Sequence, residues 1–212
     1  MELGPGPGAR QNGGMTADQK IVRLKIVLDD VEPTVERWII VPLKIRLDRL
    51  HEVLQAAMGW TNSHLWEIRI RDLGWGPADP DNLFGDGPFD ARKTTFQQAL
   101  AQTGAKRFTY LYDFGDGWSH TVKLDRFETL PAGIDATFLV YAKGPCPPGD
   151  CGGPFGYAEL LDAYGDPAHE GHHAALEILG PRFNPAADTT TDRYDAVHRL
   201  VGRWIRKPRK PR

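Results

Sequence analysis

The chain has 212 residues, 41% hydrophobic and 25% charged, with 26 Lys and Arg against 28 Asp and Glu for a formal net charge of −2. That length can bury a real core in one domain with tails, and the near-neutral balance offers no overall argument for a nucleic-acid or membrane partner. The opening MELGPGPGARQNGG has no apolar run of a secretory signal, no segment approaches the ~20 apolar residues of a membrane span, and two cysteines exclude a disulfide scaffold, so a cytoplasmic protein is expected.

In chain order, residues 1–19 are Gly, Pro and polar groups and predict a disordered tail. Val22, Leu24, Ile26 and Leu28 alternate with Arg23, Lys25 and Val27, the pattern of a half-buried strand. After Glu32-Pro33, the run VERWIIV has the β-branched and aromatic content of a second strand. Leu47, Leu50, His51, Leu54 and Met58 recur at helical spacing, and Gly59 is placed to end that helix. Trp66, Ile68 and Ile70 alternate with Glu67, Arg69 and Arg71 in a third strand. A Gly-, Pro- and Asp-rich loop over 74–90, a helix over 94–103 and a hairpin over 108–125 follow. The last third turns helical around 157–164, 168–179 and 191–205, where Tyr194, Val197, Val201, Trp204 and Ile205 form a docking side. The basic end RKPRKPR, broken by Pro208 and Pro211, cannot continue a helix and reads as a solvated tail over 206–212. The folded part is thus 20–205. Its fold class is α+β, a largely antiparallel sheet with helices packed on it and a helical C-terminal third.

Three stretches carry candidate chemistry. In YLYDFGDGWSH, residues 110–120, a two-residue Asp116-Gly117 loop sets Asp113 opposite His120, with Leu111, Val122 and Leu124 on the same face. A three-residue loop sets Tyr112 opposite His120 instead. An Asp–His pair suits acid–base work or metal ligation, or it satisfies two buried polar groups and fixes the register, which is the favoured reading. Phe108, Tyr110, Tyr112, Phe114 and Trp118 could stack bases, but Lys123 is the only cation of the hairpin core, so core packing is expected.

The second stretch is CPPGDCGGPFGY, residues 146–157. Cys146 and Cys151 stand near zinc-knuckle spacing, with His64, His120, His169, His172 and His173 as available further donors. A helix starting near Gly152-Gly153-Pro154 would instead lower the Cys151 thiol pKa and make it reactive. The favoured reading is a tight structural loop. The third stretch, HEGHH at 169–173, matches H-E-x-x-H literally. Gly171 inside it, His172 at an apolar position and Leu176 where the longer motif needs glycine point to a solvated helix face. Walker, Rossmann, G-x-S-x-G and helix-turn-helix signatures are absent.

Taken in order, Pro33-Thr34-Val35-Glu36-Arg37, Val41-Pro42, Leu50-His51, Met58-Gly59-Trp60, His64-Leu65, Tyr112-Asp113-Phe114-Gly115-Asp116 with Trp118 and His120, the Cys-Pro-Pro-x-Asp-Cys-Gly-Gly-Pro run and Gly156-Tyr157 resemble the plasmid pRiA4b ORF-3-like family, also called insertion-element passenger TnpR-like proteins. The resemblance spans about residues 20–205. It implies an α+β fold in a bacterial or archaeal protein associated with plasmids and insertion elements, without an agreed activity. The TnpR label suggests a resolvase, yet the chain shows no serine- or tyrosine-recombinase constellation. Glu36 stands where the family has Trp, Trp66 where a second His follows, Gly149 where Glu is usual and Leu139 where a third cysteine is common. These departures favour a structural role for the cysteine loop. The expected function is a non-enzymatic module that binds a protein or nucleic-acid partner through the hairpin and cysteine loop, with Tyr112, Trp118 and Tyr157 as contacts and no cofactor. The alternative is a metal-dependent hydrolase or nuclease using Asp113, Asp116 and His120, with Cys146, Cys151 and His120 as zinc ligands.

Overall fold

The alternating residues at the start become β1 (Gln19–Leu28), which pairs antiparallel with β2 (Glu36–Pro42) so that Leu24 lies beside Ile39. The computed structural model describes residues 18–78, 87–131 and 134–206. Most of both expected tails and the centre of the 74–90 loop lie outside the described residues. Helix α1 (Leu47–Met58) precedes β3 (Trp66–Ile70), β4 (Leu73–Gly76), β5 (Phe89–Asp90) and α2 (Phe96–Thr103). Then come β6 (Arg107–Tyr112), β7 (Trp118–Leu130) and β8 (Phe138–Lys143). Three helices close the chain: α3 (Gly153–Gly165), α4 (His172–Leu179) and α5 (Thr190–Arg206).

The strands form one sheet in the order β5-β4-β3-β6-β7-β1-β2-β8, antiparallel at every step except the short β4–β5 pair. The α+β class, the antiparallel sheet and the helical end agree with the sequence reading. Strands β4, β5 and β8 were not expected. The first two are four and two residues long and sit in a stretch of Gly, Pro and Asp. Strand β8 carries no strict alternation, and its register against β2 shifts between Trp38 and Ile39.

One face of the sheet is apolar. Val22, Leu24, Ile26, Leu28, Ile39, Val41, Trp66, Ile68, Ile70, Phe108, Tyr110, Tyr112, Trp118 and Val122 are buried there with Leu47, Leu50, Val53, Leu54, Ala57 and Met58 of α1. The Val, Leu, Ile, Phe and Met side chains among these each contribute about 1.5–3 kcal/mol when fully withdrawn from water. The intervening residues (Lys25, Glu36, Trp38, Glu67, Arg69, Arg107, Thr109, Thr121, Lys123) stay partly or fully exposed, so the other face meets solvent.

The cationic exception on the apolar face is Arg37, in phase with Ile39 and Val41 and fully buried. Its Nε donates to the Ala57 carbonyl at 2.7 Å, and Nη2 donates to Met58 at 3.4 Å and Gly144 at 2.9 Å. Nη1 donates to the carbonyls of Glu36 at 2.8 Å and Lys143 at 2.7 Å. Ala57 and Met58 end α1, where the last carbonyls lack intrahelical partners, and a cation there also opposes the helix dipole. Gly59, in a left-handed conformation at φ 113°, stops the helix and donates its N–H to Gln55. Burial lowers the Arg37 pKa to about 10, so the guanidinium stays charged at neutral pH. Replacing Arg37 with Met would strand these acceptors, with an expected cost of about 3 kcal/mol or more. Urea unfolding checks this; a loss below about 1 kcal/mol would contradict it.

Candidate functional site

Three loops meet where α1, β6 and β8 end: residues 59–65, the hairpin tip 113–117 and the cysteine loop 144–152. The hairpin register differs from both expectations. Tyr112 pairs with Trp118 and Tyr110 with His120, leaving a five-residue tip from Asp113 to Gly117. Asp113 therefore does not face His120. It turns the chain at φ 55°, its Oδ1 accepting from the N–H groups of Gly115 at 3.1 Å and Asp116 at 3.3 Å. This Asx-type turn competes with the two-residue loop that Asp116-Gly117 suggests, and it prevails here. His120 instead shares the buried face with Phe108, Tyr110, Tyr112 and Trp118, and its Nδ1–H donates to the Tyr110 carbonyl at 3.0 Å. Trp60 wedges in from the loop after α1. Its ring lies 4.9 Å from Tyr112 and edge-on to His120 at 5.2 Å, while its Nε1–H donates to the Pro147 carbonyl at 3.1 Å. The core packing expected for the hairpin aromatics holds for four of them; Phe114 alone projects from the tip.

The tip also sits on the first turn of α3. Gly153 has φ 68°, and a methyl group there would run into the Asp116 carbonyl, which explains why glycine precedes Pro154. His64 reaches across the junction, its Nε2 3.5 Å from Asp113 Oδ2 and 3.5 Å from Asp150 Oδ1. One donor atom from each of these three residues lies within 4.8 Å of the others, a compact imidazole–carboxylate group able to hold a divalent cation. Among the described residues it is the one such group of three. His120 and the two cysteines do not join it, and Asp116 Oδ2, Trp118 Nε1 and His120 Nε2 are buried without a protein partner. The sequence reading offered His64 as a further donor and as part of the His64-Leu65 motif but not as a partner of Asp150, which is 86 positions away in sequence.

The other candidates are placed as follows. Burial pushes the Cys151 thiol up to about 11, reinforced by nearby Asp116, and pushes Cys146 higher against the opposing charges of Arg37 and Arg193. The lowered Cys151 pKa expected from the helix start is thus overturned: desolvation and a carboxylate outweigh a helix end. Both cysteines are free thiols. Tyr112, Trp118 and Tyr157, expected to touch a partner, are buried in the core and cannot present a surface. The exposed apolar residues of the junction are Leu65, Phe114 and Phe155, at 46%, 57% and 74% exposure. In HEGHH, His169 closes a turn by accepting from the Gly171 N–H, α4 begins only at His172, and His172 Nδ1 donates to the Ala163 carbonyl. The two ends of the motif therefore do not share a helix.

A model of the family described as Plasmid pRiA4b ORF-3-like protein matches residues 20–191. The chain belongs to this family. A pRiA4b ORF-3-like relative, the uncharacterised protein y4hQ of Sinorhizobium fredii, is 53% identical over 192 residues, which cover 90% of this chain and 97% of that protein. A crystal structure of a protein of unknown function from Methanosarcina mazei Go1 is similar with a TM-score of 0.73 at 27% identity, covering 83% of this chain and 98% of that one.

In this pRiA4b ORF-3-like chain, a second polar network locks the junction to the core. Gln55 donates to the Tyr110 hydroxyl at 2.8 Å, the hydroxyl lies 2.8 Å from His51 Nδ1, and His51 Nε2 lies 2.6 Å from Asn62 Oδ1. Asn62 N–H returns to Gln55 Oε1 at 3.0 Å, closing the ring. His51 also stacks on Trp66 at 3.9 Å. Burial lowers both His51 and His120 to about 4. The unfolded chain binds protons near 6.5 and the folded chain only near 4, so stability is full above about 6.5 and falls as the pH drops towards 4. Denaturation midpoints measured from pH 7 to 4 should fall steadily, and His120→Gln should flatten part of that slope. A flat profile in the unsubstituted protein would contradict the two neutral, enclosed imidazoles.

Proposed function

We propose that this chain is a non-enzymatic binding module that docks a partner protein on the three-loop junction, in the bacterial cytoplasm and in the plasmid-associated setting that the family resemblance implies. The observation that carries the reading is the exposure of Leu65 and Phe114, chain neighbours of His64 and Asp113 in the imidazole–carboxylate group, and of Phe155 on the first turn of α3, against which the hairpin tip rests. Apolar side chains displayed beside polar ones on a rigid base are the usual makings of a docking patch. The neighbouring reactive types are committed elsewhere: His120 is neutral and enclosed, both thiols are held protonated, and Arg37 is saturated by carbonyls. Among the described residues, no helix is long and apolar enough to cross a membrane, which is consistent with a cytoplasmic setting.

The compactness of the His64–Asp113–Asp150 group favours a second reading, a metal-dependent hydrolase in which His64 and Asp150 stand where His120 and Asp116 were expected. Titration of manganese and zinc into the full chain, followed by assay of a phosphodiester substrate with each metal, separates the two. The module reading expects no turnover above metal-only controls and no change in His64→Ala or Asp150→Asn. Metal-stimulated hydrolysis lost in His64→Ala would replace it with the second reading. Phe114→Ser with Phe155→Ser should leave the melting temperature nearly unchanged, since both rings are exposed in the unbound protein.

A further inference from the structure

At the end of β6 away from the junction, beside the middle of β7, the solvent-facing side of the sheet holds a groove of about 1040 Å³. Arg69 and Arg71 enter it from β3 and the turn after it, Lys106 and Arg107 from the start of β6, and Lys123 from β7, with Thr109 and Thr121 on its floor. All five cations are exposed, and none of the described residues lining the groove is acidic. Arg69 bonds Glu67 at 2.6 Å; Arg71, Lys106, Arg107 and Lys123 make no ion pair among the described residues. In a chain of net charge −2, this concentration comes from topology: strand order sets β3, β6 and β7 side by side.

The register sharpens the argument. Arg69 pairs with Thr109 and Thr109 with Thr121, a row across three strands, and Arg107 pairs with Lys123 in the adjacent row across two. Strands lie ~4.8 Å apart, so the row of Arg107 and Lys123 sets like charges directly opposite one another. That arrangement costs stability unless an anion lies over it. The hydroxyls of Thr109 and Thr121, beside that pair, add neutral donors suited to phosphate oxygens.

We propose that this groove binds the phosphate backbone of a nucleic-acid duplex without reading its sequence. The groove displays no exposed aromatic ring, as a single-strand stacking surface requires, and no exposed apolar side chain for insertion into a lipid surface. It also lacks the apolar anchor that a protein interface uses. The groove is distinct from the junction, so its failure leaves the docking reading of that patch intact.

The test is fluorescence anisotropy of the full chain with a labelled mixed-sequence DNA duplex of about 20 base pairs, from 50 to 200 mM salt. Four phosphate contacts, from the cations not already paired, predict a slope of log affinity against log salt of about −3 to −4. Neutralising Arg71, Arg107 and Lys123 together to Gln should reduce that slope by about 3 and weaken binding at the lowest salt at least tenfold. Neutralising the basic residues of 206–212 in the same way should leave most of the slope in place. Should the triple variant misfold, Lys123→Gln alone should lower the slope by about 1. The proposal is overturned by absence of duplex binding, by an unchanged slope in the groove variants, or by tighter binding to anionic phosphatidylserine vesicles than to the duplex.

Discussion

A buried guanidinium without a carboxylate partner is an expensive thing to fold around, and Arg37 sets the terms for the rest of this molecule. Its donors are spent on backbone carbonyls from three separate places: the end of α1, β2 itself, and the junction between β8 and the cysteine loop. None of those carbonyls can leave without exposing a buried charge. The end of α1, the sheet edge and the start of the cysteine loop are thereby fixed relative to one another. Gly59 can stop the helix there because Arg37 takes up carbonyls that the helix leaves unpaired.

From that anchor the junction follows by packing. Trp60, one residue beyond the helix stop, lies against Tyr112, Trp118 and His120 and bonds the cysteine loop through Pro147. The hairpin tip rests on Gly153, and His64 spans from the loop after α1 to Asp113 and Asp150. Motifs separated by up to about ninety residues of sequence thus serve one construction. Its polar members are mostly framework, while the side chains left outside it are Leu65, Phe114 and Phe155. The same sheet carries its charge on the far side and away from the junction, where Arg107 and Lys123 face each other. One scaffold therefore offers two chemically different surfaces.

Much of this was legible in the sequence, and the remainder has identifiable causes. Period-two alternation located β1 and β3, the β-branched and aromatic content of VERWIIV located β2, and helical spacing located α1, because each buries a single face. The hairpin was located but its register was not, since Asp113 captures the turn with its own side chain and enlarges the loop to five residues. That shift separates Asp113 from His120 and dissolves the pair on which a catalytic reading leaned. Arg37 did carry a signal: it falls in phase with Ile39 and Val41, where an apolar residue belongs. The His64–Asp113–Asp150 group and the basic groove had no local signal, because each is assembled from strands and loops distant along the chain. A count of cations within the hairpin alone finds Lys123 and misses the four that β3 and the start of β6 bring beside it.

The central claim is that Arg37 joins the end of α1, the β2–β8 edge and the cysteine loop into one cooperative unit that also holds the hairpin tip. Amide hydrogen exchange of Arg37→Lys against the unsubstituted protein addresses it directly, because lysine keeps the charge but cannot reproduce the five-donor fork. The account predicts that protection falls together in residues 55–60, 113–117 and 142–153, while β3 and α2 keep theirs. Loss confined to β2, or unchanged protection across the hairpin tip and the cysteine loop, would contradict it.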